Sequence, residues 1–238
     1  MVVIFKKVFY CLSWVVWLIF CYFLSQFIIS FLSELSFIEI QSKEITMLVI
    51  SLLVYLATLV LFVLGPWLLR KKNVPTKKIT ELLGLNRRIK IDDFKKGLGT
   101  YLIYMLVLVG VMMIFNLLFP ELSAQEQDLG FAKTGNNPWQ LIVIFLSLVV
   151  VPPVFEELIM RGVLFGQLRS KVSFWPAAII VSILFAIAHG QINVAVDTFI
   201  LSLFLCNLRE KTGAIWAPII VHTLKNLLGF YLIFVTMV

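Results

Sequence analysis

The sequence predicts an all-α fold, a polytopic transmembrane helical bundle of about seven spans. Of its residues, 61% are hydrophobic and 14% charged, whereas a soluble domain carries about 45–50% apolar and about 25% charged residues. The mean hydropathy is +1.02. The apolar residues gather into runs of about 20, the length that crosses hydrocarbon. The charged residues, 20 basic and 13 acidic for a net charge of +7, fall mostly between those runs. Cytoplasmic loops of membrane proteins show this distribution, and it argues against a nucleic-acid partner. The partner implied by composition is membrane lipid.

Each element follows from this pattern. Lys6 and Lys7 precede a first span from about Val8 to Leu32. It is too long for a signal-peptide core and no small-x-small cleavage site follows, so a retained span with a cytoplasmic N-terminus is expected. A loop with Glu34, Glu39, Lys43 and Glu44 leads to a second span, Ile45 to Leu69, which closes on Gly65-Pro66-Trp67. Residues 70–96 form a basic cytoplasmic loop with ten basic and three acidic residues. Within it, Leu82, Leu83, Leu85 and Ile89 suggest a short surface helix on anionic lipid. The third span covers Gly97 to Phe119, and its exit loop to Pro138 holds Glu121, Glu126 and Asp128 against Lys133, with a turn at Gly135-Asn136-Asn137-Pro138. A fourth helix starts at Trp139 and runs through Pro152-Pro153 into Glu156-Glu157. After the Lys171–Ser173 turn, a fifth helix runs from Phe174 to His189 and a sixth from Asn193 to Leu208, ended by Arg209-Glu210-Lys211. A seventh starts near Ala214 with Pro218 in its first turn.

The chain thus reads as a three-span region, residues 1–138, joined to a helical core, residues 139–238, in one membrane domain. The basic loops and the N-terminus are expected in the cytoplasm and the C-terminus outside. Cys11, Cys21 and Cys206 are odd in number and lie within apolar runs, so they read as packing residues. Trp14, Trp17, Trp67 and Trp139 read as an interfacial aromatic belt.

Ionisable residues inside a bilayer are costly and mark functional candidates. Here they are Glu156, Glu157, Arg161, His189, Asp197, His222 and Lys225, and they include both histidines of the chain. Glu157 and Arg161 stand four apart with the acid first, the favourable order for an intrahelical ion pair. Glu156 is rotated about 100° from its neighbour and lacks that partner. His222 and Asn226 share one helix face, as do Phe185 and His189. Counting from the Lys171–Ser173 turn, Glu156 and His189 both lie about 23–26 Å along their helices, which brings them level. His222 and Asn226 are expected somewhat shallower, the kink at Pro152-Pro153 closing the difference. Asp197 reads as a residue behind the site or a surface cap, and Lys225 as a snorkelling residue or a partner for an acid.

This set can activate water. Glu156 would act as general base and Asn226 as oxyanion donor, while the histidines either hold zinc or hydrogen-bond water and oxyanion directly. There is no HExxH and no Gly-x-Ser-x-Gly.

Three ordered motifs sharpen the reading. Glu156-Glu157-Leu158-Ile159-Met160-Arg161 fits EExxxR, Phe185-Ala186-Ile187-Ala188-His189 fits FxxxH, and His222-Thr223-Leu224-Lys225-Asn226 fits HxxxN. Together they resemble the CPBP family, the CAAX proteases and bacteriocin-processing enzymes. The resemblance covers about Trp139 to Phe230. It implies an intramembrane endopeptidase of bacterial type acting on a small membrane-associated peptide, in bacteriocin or pheromone-leader maturation or in self-immunity. It implies Glu156 as base, Glu157, His189, His222 and Asn226 as site residues, and Arg161 and Phe185 in support. Zn2+ held by His189 and His222 stands as one alternative and a metal-free glutamate mechanism as the other. A non-catalytic immunity or scaffold protein and a transporter are the competing functions. The implied location is the bacterial plasma membrane.

Overall fold

The computed structural model describes residues 2–34, 42–69, 76–123 and 137–235. Expectations for Glu39, for residues 70–75, for Glu126, Asp128 and Lys133, for the turn at Gly135-Asn136 and for the Trp67 side chain lie outside the described residues. The elements are α1 (Val2–Glu34), α2 (Lys43–Leu69), α3 (Thr76–Leu82), α4 (Ile91–Leu118), α5 (Pro120–Ser123), α6 (Pro138–Arg169), α7 (Phe174–Ile187), α8 (Ile192–Thr212) and α9 (Trp216–Phe234). Among the described residues, α1, α2, α4, α6, α8 and α9 are long and apolar enough to cross a membrane, so the protein is a multi-pass membrane protein.

The seventh expected span is α7, and it is short. Its 14 residues reach about 21 Å, against about 30 Å of hydrocarbon. It ends at Ile187 and not at His189, because the chain turns at Gly190 with φ +76°. His189 therefore sits in a turn at membrane depth. Ser182 and Ser202 share a buried 2.9 Å hydrogen bond that fixes α7 against α8.

The basic segment also differs from expectation. Its helix stops at Leu82, because Gly84 adopts φ +73° and Leu85 and Gly84 donate to Thr80 and Glu81 at 2.8 and 3.1 Å, a Schellman closure. Ile79, Leu82 and Leu83 pack on the core of α1, α2, α6 and α7, so these side chains face protein and not lipid. Gly162 of α6 lies against that turn so closely that a Cβ would stand 2.6 Å from the Leu83 carbonyl oxygen. Helix α4 starts at Ile91 and takes in charged residues that read as loop. Asp93 accepts from the Lys90 N–H at 2.8 Å and from both Arg87 amines at 2.7 and 2.6 Å, and an acid in the first turn suits the helix dipole. Arg87 also donates to the Thr212 carbonyl at 3.3 Å and accepts from Trp216 at 2.8 Å, which ties this segment to the α8–α9 turn.

Helix α6 is continuous but twice widened, with π segments at Leu146–Val150 and Leu158–Leu164. Pro152 and Pro153 sit at the head of the α-helical stretch between them, where a missing N–H is tolerated. The aromatic belt needs one correction. Trp139 is 75% exposed, but Trp14 meets Phe62 edge-on at 5.6 Å and Trp17 donates to the Phe62 carbonyl at 3.4 Å. Both therefore pack α1 against α2.

The Gly162 contact is backbone on one side and cannot yield cheaply. Gly162→Ala is expected to destabilise the protein by about 1–3 kcal/mol. Gly166→Ala, on the same helix with nothing within 4 Å, should be neutral or gain up to about 1 kcal/mol. Thermal unfolding in detergent compares the two.

Candidate active site

The motif residues converge on one site. Glu157 on α6 is fully buried, and its Oε1 accepts from Arg161 Nη1 at 2.8 Å and from His222 Nδ1 on α9 at 2.9 Å. Arg161 is likewise 0% exposed, and its guanidinium carbon lies 4.6 Å above the centre of the Phe185 ring. The same ring meets His189 at 4.8 Å and His222 at 5.6 Å, both edge-on. Phe185 is thus a shared wall that holds two imidazoles and a guanidinium in place. The expected difference in depth between His222 and Glu156 is closed: His222 Nε2 stands 3.7 Å from Glu156 Oε2.

Glu156 is not without a partner. Tyr55 of α2, stacked on Phe155 at 5.7 Å, donates to Glu156 Oε1 at 2.6 Å. This leaves Oε2 turned toward His222. Asn226 donates to the Leu148 carbonyl at 2.8 Å, and the reason lies in α6. In α register the partner of that carbonyl would be the N–H of residue 152, and in π register that of residue 153; both are prolines and carry none. The amide of Asn226 supplies the missing hydrogen bond and keeps its second N–H for the cavity.

The histidine tautomers follow from their partners. His189 Nδ1 lies 2.7 Å from the Phe185 carbonyl, which can only accept, so the proton is on Nδ1. His222 donates from Nδ1 to Glu157, which also accepts from Arg161. With Nδ1 so engaged, each ring turns its Nε2 edge away from that contact, and the His222 Nε2 faces Glu156 Oε2.

Beyond Asn226, the cationic donor on the cavity wall is Lys225, whose ammonium lies 3.3 Å from Asp197 Oδ2. The other oxygen of Asp197 accepts from Tyr104 of α4, which is fully buried. Asp197 thus stands behind Lys225 and is not a surface cap. Glu156, His189, His222, Lys225, Asn226 and Tyr55 line one cavity of about 240 Å³. Tyr55 and Tyr104 are the contributors that sequence reasoning missed. The available signal was their place in mid-span, away from the interfaces where tyrosine is usual.

The donor chemistry for zinc is partly present, with two imidazole nitrogens and a carboxylate. Among the described residues, however, no three His, Cys, Asp or Glu side chains stand together closely enough to hold a metal ion, and Glu156 Oε1 is engaged by Tyr55. As placed, these residues do not form a zinc site.

Comparison with known proteins finds membrane peptidases similar to this chain. Residues 138–228 match the family model described as Type II CAAX prenyl endopeptidase Rce1-like. The chain is 26% identical over 228 residues to the membrane-embedded CAAX protease MroQ of Staphylococcus aureus, covering 90% of this chain and 85% of that one. It is 33% identical over 86 residues to the putative membrane peptidase YdiL of Bacillus subtilis, covering 36% of this chain and 34% of that protein. An uncharacterized 24.3 kDa protein of Escherichia coli is 28% identical over 94 residues, 37% of this chain and 43% of that one. The matched region thus spans about a third of YdiL and less than half of the E. coli protein. No solved structure matches the chain. All three motifs fall within the segment that matches the Rce1-like model, and their residues meet at one buried site, so this part of the chain is similar to membrane CAAX peptidases in sequence and carries the three motifs that resemble the CPBP family.

Proposed function

We propose that this protein is an intramembrane endopeptidase in which Glu156 activates water against a peptide bond of a small membrane-associated substrate, such as a bacteriocin or pheromone leader. The observation that carries the reading is the Glu156 carboxylate, with one oxygen held by Tyr55 and the other facing His222 inside a cavity. Glu156 Oε2 and the His222 and His189 Nε2 atoms are acceptors, and a water among them is oriented by donating its protons. As that water attacks the carbonyl carbon, its proton passes to Glu156. The carbonyl oxygen becomes an oxyanion, which the second Asn226 N–H and the Lys225 ammonium on the cavity wall receive. Glu156 then returns the proton to the leaving amine. Glu157 and Arg161 keep His222 in the tautomer this requires. No step is routed through a metal. The reading is of a bacterial plasma-membrane protein with a cytoplasmic N-terminus, supported by its bacterial relatives and by basic residues between the spans.

Purified protein is expected to cleave members of a leader-peptide panel, products being read by mass spectrometry. Glu156→Gln should lower kcat by about 10²–10⁴-fold. Wild type that cleaves nothing, together with Glu156→Gln that still protects cells from a bacteriocin, would leave a binding role in immunity.

Tyr55→Phe removes one hydrogen bond to a charged group, worth about 1.5–3 kcal/mol. A drop of about 10- to 100-fold in kcat with little change in KM is expected. An unchanged kcat would dismiss Tyr55 as a positioning residue.

Lys225→Met keeps the length of the stem and removes the ammonium. If Lys225 receives the oxyanion, kcat should fall about 10²–10³-fold while KM holds. An effect confined to KM would instead make it a substrate-binding group.

A further inference from the structure

The cavity has a floor and a mouth, and they lie toward opposite ends of the bundle. The floor is Glu157, Arg161, Phe185 and His222, which are 0–2% exposed. Beneath it, toward the α6–α7 and α8–α9 turns, Leu164, Leu168, Leu205, Ala217 and Val221 are all 0% exposed. Arg209 closes the layer by donating to the Arg161 carbonyl at 3.2 Å.

The remaining wall residues lie on the other side of the floor. Helices α6 and α8 run toward the floor, and Leu148, Pro152 and Val194 precede it in sequence; α9 runs away from it, and Gly229, Phe230 and Ile233 follow it. At 1.5 Å per residue, His222 is about 9 Å along α9 while Gly229 and Ile233 are about 20 and 26 Å along. The cavity therefore extends away from the end that carries Trp216.

That closed end is also the basic end. Contacts gather Tyr10 of α1 onto Gln167 at 2.6 Å and beneath Lys171 at 5.2 Å. They join Arg169 to Glu210 at 2.6 Å and Arg87 to the Thr212 carbonyl at 3.3 Å. Lys6, Lys7, Arg87, Arg88, Lys95, Lys96, Arg169, Lys171, Arg209 and Lys211 thus belong to one end of the bundle. The start of α2 and α5, at the other end, hold Lys43, Glu44 and Glu121. Short loops rich in Lys and Arg stay in the cytoplasm.

We infer that the site opens to the extracytoplasmic side, and that its substrate is a peptide segment already across the membrane, such as an exported peptide or the outer flank of a membrane-anchored one. A cytosolic protein carrying a lipidated C-terminus meets only the closed, basic end. The substrate part of this inference rests on the peptidase reading; the direction of opening does not.

Cysteine labelling tests the opening without any activity. Cys11, Cys21 and Cys206 are 6%, 0% and 0% exposed, so background labelling is low. Gly229→Cys places a thiol where nothing lies within 4 Å, and Ser170→Cys marks the exposed α6–α7 turn. With a membrane-impermeant maleimide on intact spheroplasts, Gly229→Cys should label and Ser170→Cys should label only after permeabilisation. The reverse order, or a Gly229→Cys thiol that never labels, would overturn the inference. A leader peptide cut by detergent-solubilised wild type is then offered to sealed vesicles. It should be cut by right-side-out and not by inverted ones. Cleavage by inverted vesicles alone would overturn the substrate side, whereas no cleavage in detergent would overturn the peptidase reading itself.

Discussion

A carboxylate and a guanidinium with no exposed surface sit side by side in the middle of this protein, and much of the site depends on how they are held. Each would cost about 2.5–3.5 kcal/mol if inserted alone at a bilayer centre. Glu157 Oε1 meets Arg161 one turn along its own helix and His222 on α9, and the Phe185 ring covers the guanidinium. Glu157 Oε2 and the Arg161 Nε and Nη2 atoms have no hydrogen-bond partner among the described residues, so the arrangement is held mainly by the shared oxygen and the ring. Removing Glu157 or Arg161 leaves the other charge buried and uncompensated, a larger cost than the net worth of the pair. The same interaction registers α6 against α9, sets the tautomer of His222 and closes the floor of the cavity.

The irregularity of α6 serves the same end. A regular helix satisfies its own carbonyls and offers none to its neighbours. Two prolines and two π segments leave the Leu148 carbonyl without a helical partner under either register. Asn226 then becomes a link between α6 and α9. Widening also turns the side chains of the second π segment, where Arg161 sits, relative to those of the preceding turn.

The N-terminal region does more than hold the core in lipid. Tyr55 of α2 and Tyr104 of α4 each donate a hydroxyl to a carboxylate of the core, one at Glu156 and the other at Asp197 behind Lys225. One holds the Glu156 carboxylate, and the other anchors Asp197, which pairs with the Lys225 ammonium. Both residues lie outside the segment that matches the family model.

Composition and run length were enough for the helical class, the membrane and the approximate spans, because crossing hydrocarbon demands about 20 apolar residues whatever their neighbours are. The EExxxR, FxxxH and HxxxN residues were legible for a related reason. Spacing along a helix is a one-dimensional fact, so Glu157 and Arg161 could be paired before any fold was known. What required two helices was hidden. Tyr55 and Glu156 are 101 residues apart, and nothing in either segment announces the other. The short α7, the docking of Leu83 on Gly162, the packing of Trp14 and Trp17 between helices and the Nδ1 partners of both histidines were hidden in the same way. By itself the sequence determined which residues lipid would not tolerate unpaired. Only the tertiary structure decided their partners, because partnership across a bundle depends on the rotation, tilt and depth of whole helices, which are set by packing summed over the length of each one.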